Sequence, residues 1–471
     1  MLLSGWLKKG ALIFLAIVAV QLAPAQTRTL RIVSYNIEAD FTNSLYPTWS
    51  SVGPPLPGLI APPNNPGAVT NGGVLEGIGE ELLNGNARPL DILALQETTG
   101  NSVTVAPIVS GLNAFYGTAG LYSCSSYQAT EQFGDPTFGD GPNALVFNAK
   151  TVQLMTSVPV DPPGGTGNLG SVSGEYREVM RYEFAPAGVA PAATNEFYVY
   201  VSHYKSGTGS ANENYRLGEA KIIRNDEAAN LPATARVLYV GDYNVDDSGE
   251  PMYQTILSNT APNGIHQGQG IDPLNPTNNP NLNWSAFTTD TNILVMLTEH
   301  SYELEYRDDL QVMTTNVYSG APGGLKYVPA TCHAFGNNDT TAYYGSVNSG
   351  SDTALNNRLV TNAPVFISAA QLCLDLTNAS DHLPVVADYT IPLPAPVIAS
   401  FNLTGTNLVF NVANCVTGGI YAVLMTTNLS SPPTSWTVLA TNVANDGSFT
   451  LTVTNAGNPA TPNAFYLLQQ Q

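Results

Sequence analysis

The sequence predicts a large α/β domain followed by a small all-β sandwich domain, and three observations point there. Apolar runs of strand length repeatedly end in polar clusters. One long helical period stands between two such runs. After a Pro-rich break the pattern changes to short strands separated by turn residues. Charged residues make up only 11% of the 471-residue chain while Gly, Pro, Asn, Ser and Thr abound, which suits a loop-rich β-containing protein and not a helical bundle.

Thr29 to Glu38 (TLRIVSYNIE) reads as a strand, and 40–73, rich in Pro, Gly and Asn, as a long surface excursion. A short helix is predicted at Val74 to Leu83, then a buried strand from Leu90 to Leu95 that runs into Gln96-Glu97-Thr98. Further strands are predicted at Asn143 to Phe147, Glu178 to Phe184 and Glu196 to Ser202, the last delivering His203. Asn214 to Ala229 is the best helix, with Leu217, Ala220, Ile223 and Ala228 roughly on one face and Pro232 beyond its end. Val237 to Val240 then leads to Gly241-Asp242-Tyr243-Asn244. The stretches 246–284 and 327–357 are too long for simple connections and read as loops at a cleft rim or as unrecognised elements. Pro392-Leu393-Pro394-Ala395-Pro396 is a linker. Beyond it, strands are predicted at Leu403 to Val412, Gly419 to Thr426, Trp436 to Ala440, Ser448 to Thr454 and Phe465 to Leu468.

The first 25 residues read as a signal peptide. Lys8 and Lys9 precede an uncharged apolar run, Ala11 to Val20, too short to span a bilayer, and Ala23-Pro24-Ala25 supplies a small-x-small cleavage site. The expectation is a catalytic domain over 27–391, the linker 392–396 and an accessory domain over 397–471, in a monomer that is secreted, periplasmic or at the cell surface, without membrane insertion. With 16 basic and 36 acidic residues the net charge is −20, and losing Lys8 and Lys9 with the leader makes it −22. That excludes a broad basic surface for gripping nucleic acid, so phosphodiester binding must use a local cationic cluster, metal and backbone amides. Cys124, Cys332, Cys373 and Cys415 lack zinc-site spacing; Cys332 with Cys373 is one of three disulfide pairings open to an exported chain.

Single motifs here are weak, but six occur in order: Ser34-Tyr35-Asn36-Ile37, Leu95-Gln96-Glu97-Thr98, Ser202-His203-Tyr204-Lys205-Ser206, Gly241-Asp242-Tyr243-Asn244, Arg307-Asp308-Asp309-Leu310 and Ser380-Asp381-His382-Leu383-Pro384. This ordered set resembles the endonuclease/exonuclease/phosphatase superfamily over 29–391, and His203 to Asn244 looks most like the secreted bacterial nucleases. The resemblance implies a deoxyribonuclease-like four-layer α/β/β/α sandwich, here followed by an immunoglobulin-like β domain. It implies a metal-dependent hydrolase acting by activated water, with no covalent intermediate and no nucleotide cofactor.

The chemistry needs a hard cation on the non-bridging oxygens, a base for water, and donors for developing charge. Mg²⁺, with Mn²⁺ or Ca²⁺ as alternatives, prefers oxygen ligands, so Glu97 is the first metal ligand, with Asn36 beside it; Asp381 and Glu38 are further candidates. The resemblance implies that Asp242 positions the nucleophile or a second metal and that Asn244 contacts phosphate. His382 resembles the water-activating base, with Asp309 fixing its tautomer, and His203 would bond the phosphate or assist the leaving oxygen. Arg177 resembles a phosphate-clamping arginine, with Arg181 competing for that role. His266 and His300 read as surface or packing histidines; His333 could reach the cleft. Asp272, Asp290 and Asp339 sit in Asn-rich loops that suggest calcium, but Asx turns explain them better. The substrate expected is extracellular DNA or RNA. The alternatives are a sphingomyelinase-like or small-phosphoester hydrolase, for which no membrane-binding helix is found, and an inactive adhesion protein.

Overall fold

The computed structural model describes residues 27–37, 73–98, 104–126, 141–160, 177–284, 290–300, 304–321, 323–337, 353–359, 369, 372–373, 376, 379–417, 419–444, 447–455 and 464–470. The leader, Glu38 and Asp339 lie outside these residues. Contacts divide the chain into two units, one of 28–186 and 191–391, the other centred on 392–471.

In the larger unit the chain runs β1 (Thr27–Asn36), α1 (Val74–Glu80), β2 (Ile92–Gln96), α2 (Ala106–Phe115), β3 (Tyr122–Cys124), β4 (Ala144–Asn148), β5 (Val152–Val160), β6 (Val179–Pro186) and β7 (Phe197–His203). It continues through α3 (Ser210–Asn230), β8 (Val237–Asp242), α4 (Pro251–Leu257), β9 (Gly270–Ile271), α5 (Thr291–Leu294), β10 (Glu299–His300), β11 (Leu304–Tyr306) and β12 (Asp309–Thr314). It closes with α6 (Thr315–Ser319), β13 (Lys326–Tyr327), β14 (His333–Ala334), α7 (Thr353–Arg358) and β15 (Val385–Pro392).

Two sheets result. The first has the order β13-β15-β1-β2-β4-β3, with β14 also on β15, and the second the order β5-β6-β7-β8-β12-β9. Side-chain alternation explains how they stack. Leu30, Ile32, Ile92, Ala94 and Leu145 of the first sheet share a buried core with Met180, Tyr182, Val199, Val201, Leu238 and Val240 of the second. The intervening positions face outward into helices: Val33, Leu93 and Leu95 on one side belong with Ile78, Ile108 and Leu112, and Tyr200 and Tyr239 on the other with Ala220, Ile223 and Ile256. The architecture is therefore the expected four-layer α/β/β/α sandwich. Burying this apolar surface, at about 25 cal/mol per Å², is the main stabilising term.

Only two neighbouring strand pairs shown in register run parallel, β1 with β2 and β7 with β8, and these carry the polar ends that matter. At β7–β8 the chains approach so closely that a Cβ on Gly241, whose φ is +144°, would lie 1.9 Å from the Ser202 carbonyl oxygen. Only glycine fits there.

Several elements depart from expectation for identifiable reasons. Helix α3 begins at Ser210 rather than Asn214, because its first turn is polar and solvated and carries no apolar period. Strand β5 escaped notice: it is a sheet edge with a bulge between Leu154 and Thr156 and mostly half-exposed residues, so it shows no clean alternation. Of the two alternatives read for them, residues 246–284 show the second, unrecognised elements. They hold α4 and are locked by a bidentate ion pair of Arg307 to Asp272 (2.7 and 2.9 Å), by Tyr253 Oη donating to Asp272 at 2.7 Å, and by the Arg307 guanidinium 4.6 Å above the Trp284 ring. Asp272 is thus spent on arginine rather than on calcium, and Asp290 caps α5 through the Asn292 amide. The Cys332–Cys373 pairing is corrected: no disulfide joins these two residues. Cys332 packs between the sheets while Cys373 packs in the helical layer, so the two never meet.

The smaller unit contains β16 (Val397–Thr404), β17 (Asn407–Ala413), β18 (Ile420–Thr426), β19 (Thr437–Val443), β20 (Phe449–Val453) and β21 (Phe465–Gln470). They form two three-stranded antiparallel sheets, β16-β17-β20 and β19-β18-β21, around Leu408, Phe410, Val412, Tyr421, Val423, Leu451 and Leu468. The expected strand Leu403 to Val412 is instead a hairpin, folded at Gly405 with φ +64°. Among the described residues no helix is long and apolar enough to cross a membrane.

Candidate active site

Strand register assembles the site. His203 at the end of β7 pairs in parallel with Asp242 at the end of β8, and Asp309 at the start of β12 pairs with Asp242 from the other side. Three residues distant in sequence thus stand side by side at one end of the second sheet. At the same end of the first sheet Asn36 pairs with Gln96, and Glu97 follows with φ +54°. Asn244 likewise adopts φ +49°. Both are non-glycine residues held left-handed where a strand stops, a conformation costing on the order of 1 kcal/mol or more that persists only where surroundings enforce it.

Asn36 Nδ2 donates to Glu97 Oε1 and to Asp242 Oδ2, both at 2.9 Å, and so ties the two sheets together. His203 Nε2 lies 3.5 Å from Glu97 Oε1 and 3.4 Å from Asp242 Oδ2. Asp242 Oδ1 accepts from the Asn244 backbone N–H at 2.9 Å and from its Nδ2 at 3.0 Å. Ser380 Oγ donates to the Asn36 carbonyl at 2.8 Å and accepts the His382 N–H at 3.0 Å, which places His382 over the pair. His382 Nδ1 then donates to Asp309 Oδ2 at 2.7 Å, leaving Nε2 facing Asp381 at 3.7 Å and Asp242 at 3.9 Å. Asp309 is itself steadied by Thr298, whose Oγ1 accepts the Asp308 and Asp309 N–H groups at 3.2 and 3.1 Å.

Arg177 is buried, with Nη1 donating to the Tyr204 carbonyl at 2.6 Å. Its charge is felt by both His203 and Asp242. Arg181, the competing choice, pairs instead with Asp226 on α3. Asp381 stands at the rim beside His382, its side chain 29% exposed. His333 is not in the cleft; it bonds the buried Glu81 at 2.8 Å, which also pairs with Arg358. His266 bonds Thr260 at the surface.

The two imidazoles are tuned in opposite directions. Burial, reinforced by the positive charges of Arg177, His382 and Lys205, holds His203 well below its ordinary value, so it is neutral and presents Nε2–H to the carboxylates. For His382 burial pulls the same way but is outweighed by Asp309, Asp381 and Asp242, which hold the imidazolium well above the ordinary value. Asp242 is pushed up by burial and by the Asp309 charge, against the pull of His382 and the Asn36 hydrogen bond.

Two acidic residues joined this group that sequence reasoning left unassigned. Glu299, half-buried and with its backbone bridged to His382, and the buried Asp308 hydrogen-bond each other, and both are pushed upward. Glu299 is raised by burial, against the Asp308 hydrogen bond and the His382 charge and with Asp381 and Asp242 adding to it, and Asp308 by burial, Glu299 and Asp242. Asp308 was visible in its motif. Glu299 carried no local signal.

Glu97, His203 and Asp242 offer ligand atoms that lie within 4.8 Å of one another, and the Asn36 amide lies among them. An oxygen-rich set with two carboxylates converging on one point fits a hard divalent cation.

A scan against models of known protein families finds no match, and a search of curated proteins finds none. Among solved structures the chain is similar to the human Nocturnin catalytic domain with bound sulfate anion, at 15% identity and TM-score 0.39, covering 78% of this chain and 96% of that one. It is also similar to ANGEL2, a 2',3'-cyclic phosphatase, at 17% identity and TM-score 0.40, covering 79% and 99%. An endonuclease/exonuclease/phosphatase from Beutenbergia cavernae is similar at 13% identity and TM-score 0.35, covering 94% and 100%. These are likenesses of fold; what the cleft does is read from its own side chains.

Proposed function

We propose that the chain is an exported, divalent-metal-dependent phosphodiesterase that cleaves nucleic acid by direct attack of water. The observation that carries this reading is the convergence of Asn36, Glu97, His203 and Asp242 beneath an Asp309–His382 pair, on a row of strand ends.

In this reading Glu97 and Asp242, with Asn36 and Asp381 beside them, would hold the cation, and the chemistry it would supply is Lewis-acid stabilisation of the non-bridging phosphate oxygens. Arg177 would supply positive charge toward the phosphate, Asn244 would hold Asp242 in place, and His203, neutral, would assist an oxygen that gains charge. Asp309 accepts from His382 Nδ1 and fixes the tautomer that leaves Nε2 toward water. In the bare site His382 is held protonated by Asp309, Asp381 and Asp242. A cation that compensates Asp242 and Asp381 would weaken their hold on the imidazolium.

The test is hydrolysis of plasmid DNA, RNA, sphingomyelin and an activated phosphodiester with Mg²⁺ and with chelator, alongside His203→Ala and His382→Ala. Nucleic-acid cleavage lost in chelator and in both variants is expected. Cleavage of sphingomyelin alone would replace the substrate class, and inertness toward all four would overturn the reading.

A further inference from the structure

We propose that Glu219, which the phosphodiesterase reading leaves without a role, is a positioning residue that fixes the Arg177 guanidinium and the His203–Gly207 segment relative to each other. The proposal rests on that reading for its kinetic consequence but on geometry for its substance.

Glu219 lies on α3 and is fully buried. One carboxylate oxygen, Oε1, accepts the Arg177 N–H at 3.1 Å, just before β6; the other, Oε2, accepts the Lys205 N–H at 3.0 Å, just beyond β7. Arg177 in turn reaches back with Nη1 to the Tyr204 carbonyl at 2.6 Å, which closes a ring from the carboxylate through Arg177 to the peptide joining Tyr204 and Lys205. One turn earlier on the same helix, Arg216 donates to the Lys205 and Gly207 carbonyls at 3.1 and 2.8 Å while clasped by Glu250 at 2.6 and 3.0 Å. Helix α3 therefore holds the segment after His203 by its N–H and its C=O groups alike. The ring also joins the catalytic row, since the Tyr204 carbonyl accepts Asn244 Nδ2 at 3.1 Å and Asn244 is bound to Asp242.

The residue type follows from the task. Two N–H groups converge from two strands, and an ionised carboxylate is the one side chain that meets both with acceptors and brings no donor of its own. A glutamine or a protonated glutamate turns a donor toward one of the two N–H groups. The groups facing Glu219 are Arg216 from its own helix, Arg177 before β6, and Tyr204 and Lys205 after β7. Burial pushes the carboxyl up to about 7, opposed by the Lys205 N–H and by the charges of Arg177 and Arg216. The ring is consequently complete above neutrality and short of one acceptor below it.

Two measurements test this. Amide hydrogen exchange at Arg177 and Lys205 needs no activity: protection of both is expected in the parent at alkaline pH, to fall below neutrality, and to be absent at every pH in Glu219→Gln, with melting curves confirming that the variant is folded. The second is the pH dependence of kcat/KM on a phosphodiester that the parent cleaves, with Mg²⁺. Glu219→Gln is expected to lose roughly tenfold at alkaline pH, mainly in KM, to lose little at acid pH, and to be partly restored in Glu219→Asp. The His382 ionisation is common to parent and variants, so the difference profile isolates Glu219. Unchanged exchange at both amides in Glu219→Gln would overturn the proposal, as would a loss that is the same at every pH. If the parent cleaves nothing, the exchange experiment still decides the role of Glu219, and the failure then belongs to the assigned activity.

Discussion

At the scale of single residues, the site separates charge from neutrality over a few ångströms. His382 and His203 are both buried and both near Asp242, yet one is held protonated and the other neutral: at His203 burial dominates and Arg177, His382 and Lys205 add to it, whereas at His382 the charges of Asp309, Asp381 and Asp242 outweigh burial. Two expectations follow for His382. Its NMR titration in metal-free protein should fall above the ordinary 6.5, and Mg²⁺ should move it down by compensating Asp242 and Asp381; an upward shift on adding Mg²⁺ would contradict the cation site. Because the folded value is raised, the imidazolium contributes stability in full below pH 6.5 and loses it as pH climbs through the folded value, so metal-free protein should soften on the alkaline side. Asp309→Asn removes the charge behind His382 and frees the ring to take the wrong tautomer. We expect kcat to fall by about 10²–10⁴ with KM little changed, and the His382 titration to move down with it. Steady-state kinetics on the cleaved substrate, with the same titration, check both. These residues were legible in the sequence because each stands in a polar cluster at one end of an apolar strand, His203 and Asp242 at the ends of β7 and β8, Asp309 and His382 at or before the starts of β12 and β15. Glu299 and Glu219 were not, since one acts through a bridge to His382 and the other from mid-helix, where a glutamate ordinarily faces water.

At the scale of elements, the site exists because strands stop in register. The β7–β8 pairing sets Ser202 opposite Gly241 and His203 opposite Asp242, and the bare Gly241 Cα lets the strands come together. Gly241→Ala combines a backbone conformation that side chains reject with a Cβ 1.9 Å from the Ser202 carbonyl oxygen, so the strands must part. We expect a loss of at least about 3 kcal/mol, read from denaturant midpoints, with activity lost in the fraction that still folds. A variant within about 0.5 kcal/mol of the parent would show that β7 and β8 are not so closely apposed. Element positions were readable where burial imposed a period, as in β1, β2, β7, β8 and α3. The period failed at the edge strand β5, where bulging and exposure erase alternation, and at the β16–β17 hairpin, where apolar residues flank the turn and hide it. Residues 246–284 hid a packed element because its order comes from Arg307, Asp272, Tyr253 and Trp284, contacts that span tens of residues and leave no local trace.

At the scale of the molecule, charge is sorted along the chain. Of the 16 basic residues none lies in 392–471, and of the 36 acidic ones only Asp446 does, so the net −20 resides almost wholly in the unit that carries the cleft. For an enzyme that grips a polyanion this inverts the usual dependence on ionic strength. A basic nuclease loses affinity steeply as salt releases fewer counterions on binding. On the proposed reading the far field would repel a polyanionic substrate, while the attraction would be local, from Arg177 and a cation held by Glu97 and Asp242. Salt near 0.1 M, where the Debye length is about 10 Å, screens the distant repulsion more than these close contacts. With Mg²⁺ fixed and saturating, kcat/KM on long DNA is expected to rise from low salt to about 0.1 M and to decline only above it, whereas a short neutralised phosphodiester should show no such rise. A steep monotonic decline on long DNA from the lowest salt would mean that local phosphate contacts outweigh the far-field repulsion at every ionic strength, and would overturn this reading of the charge distribution.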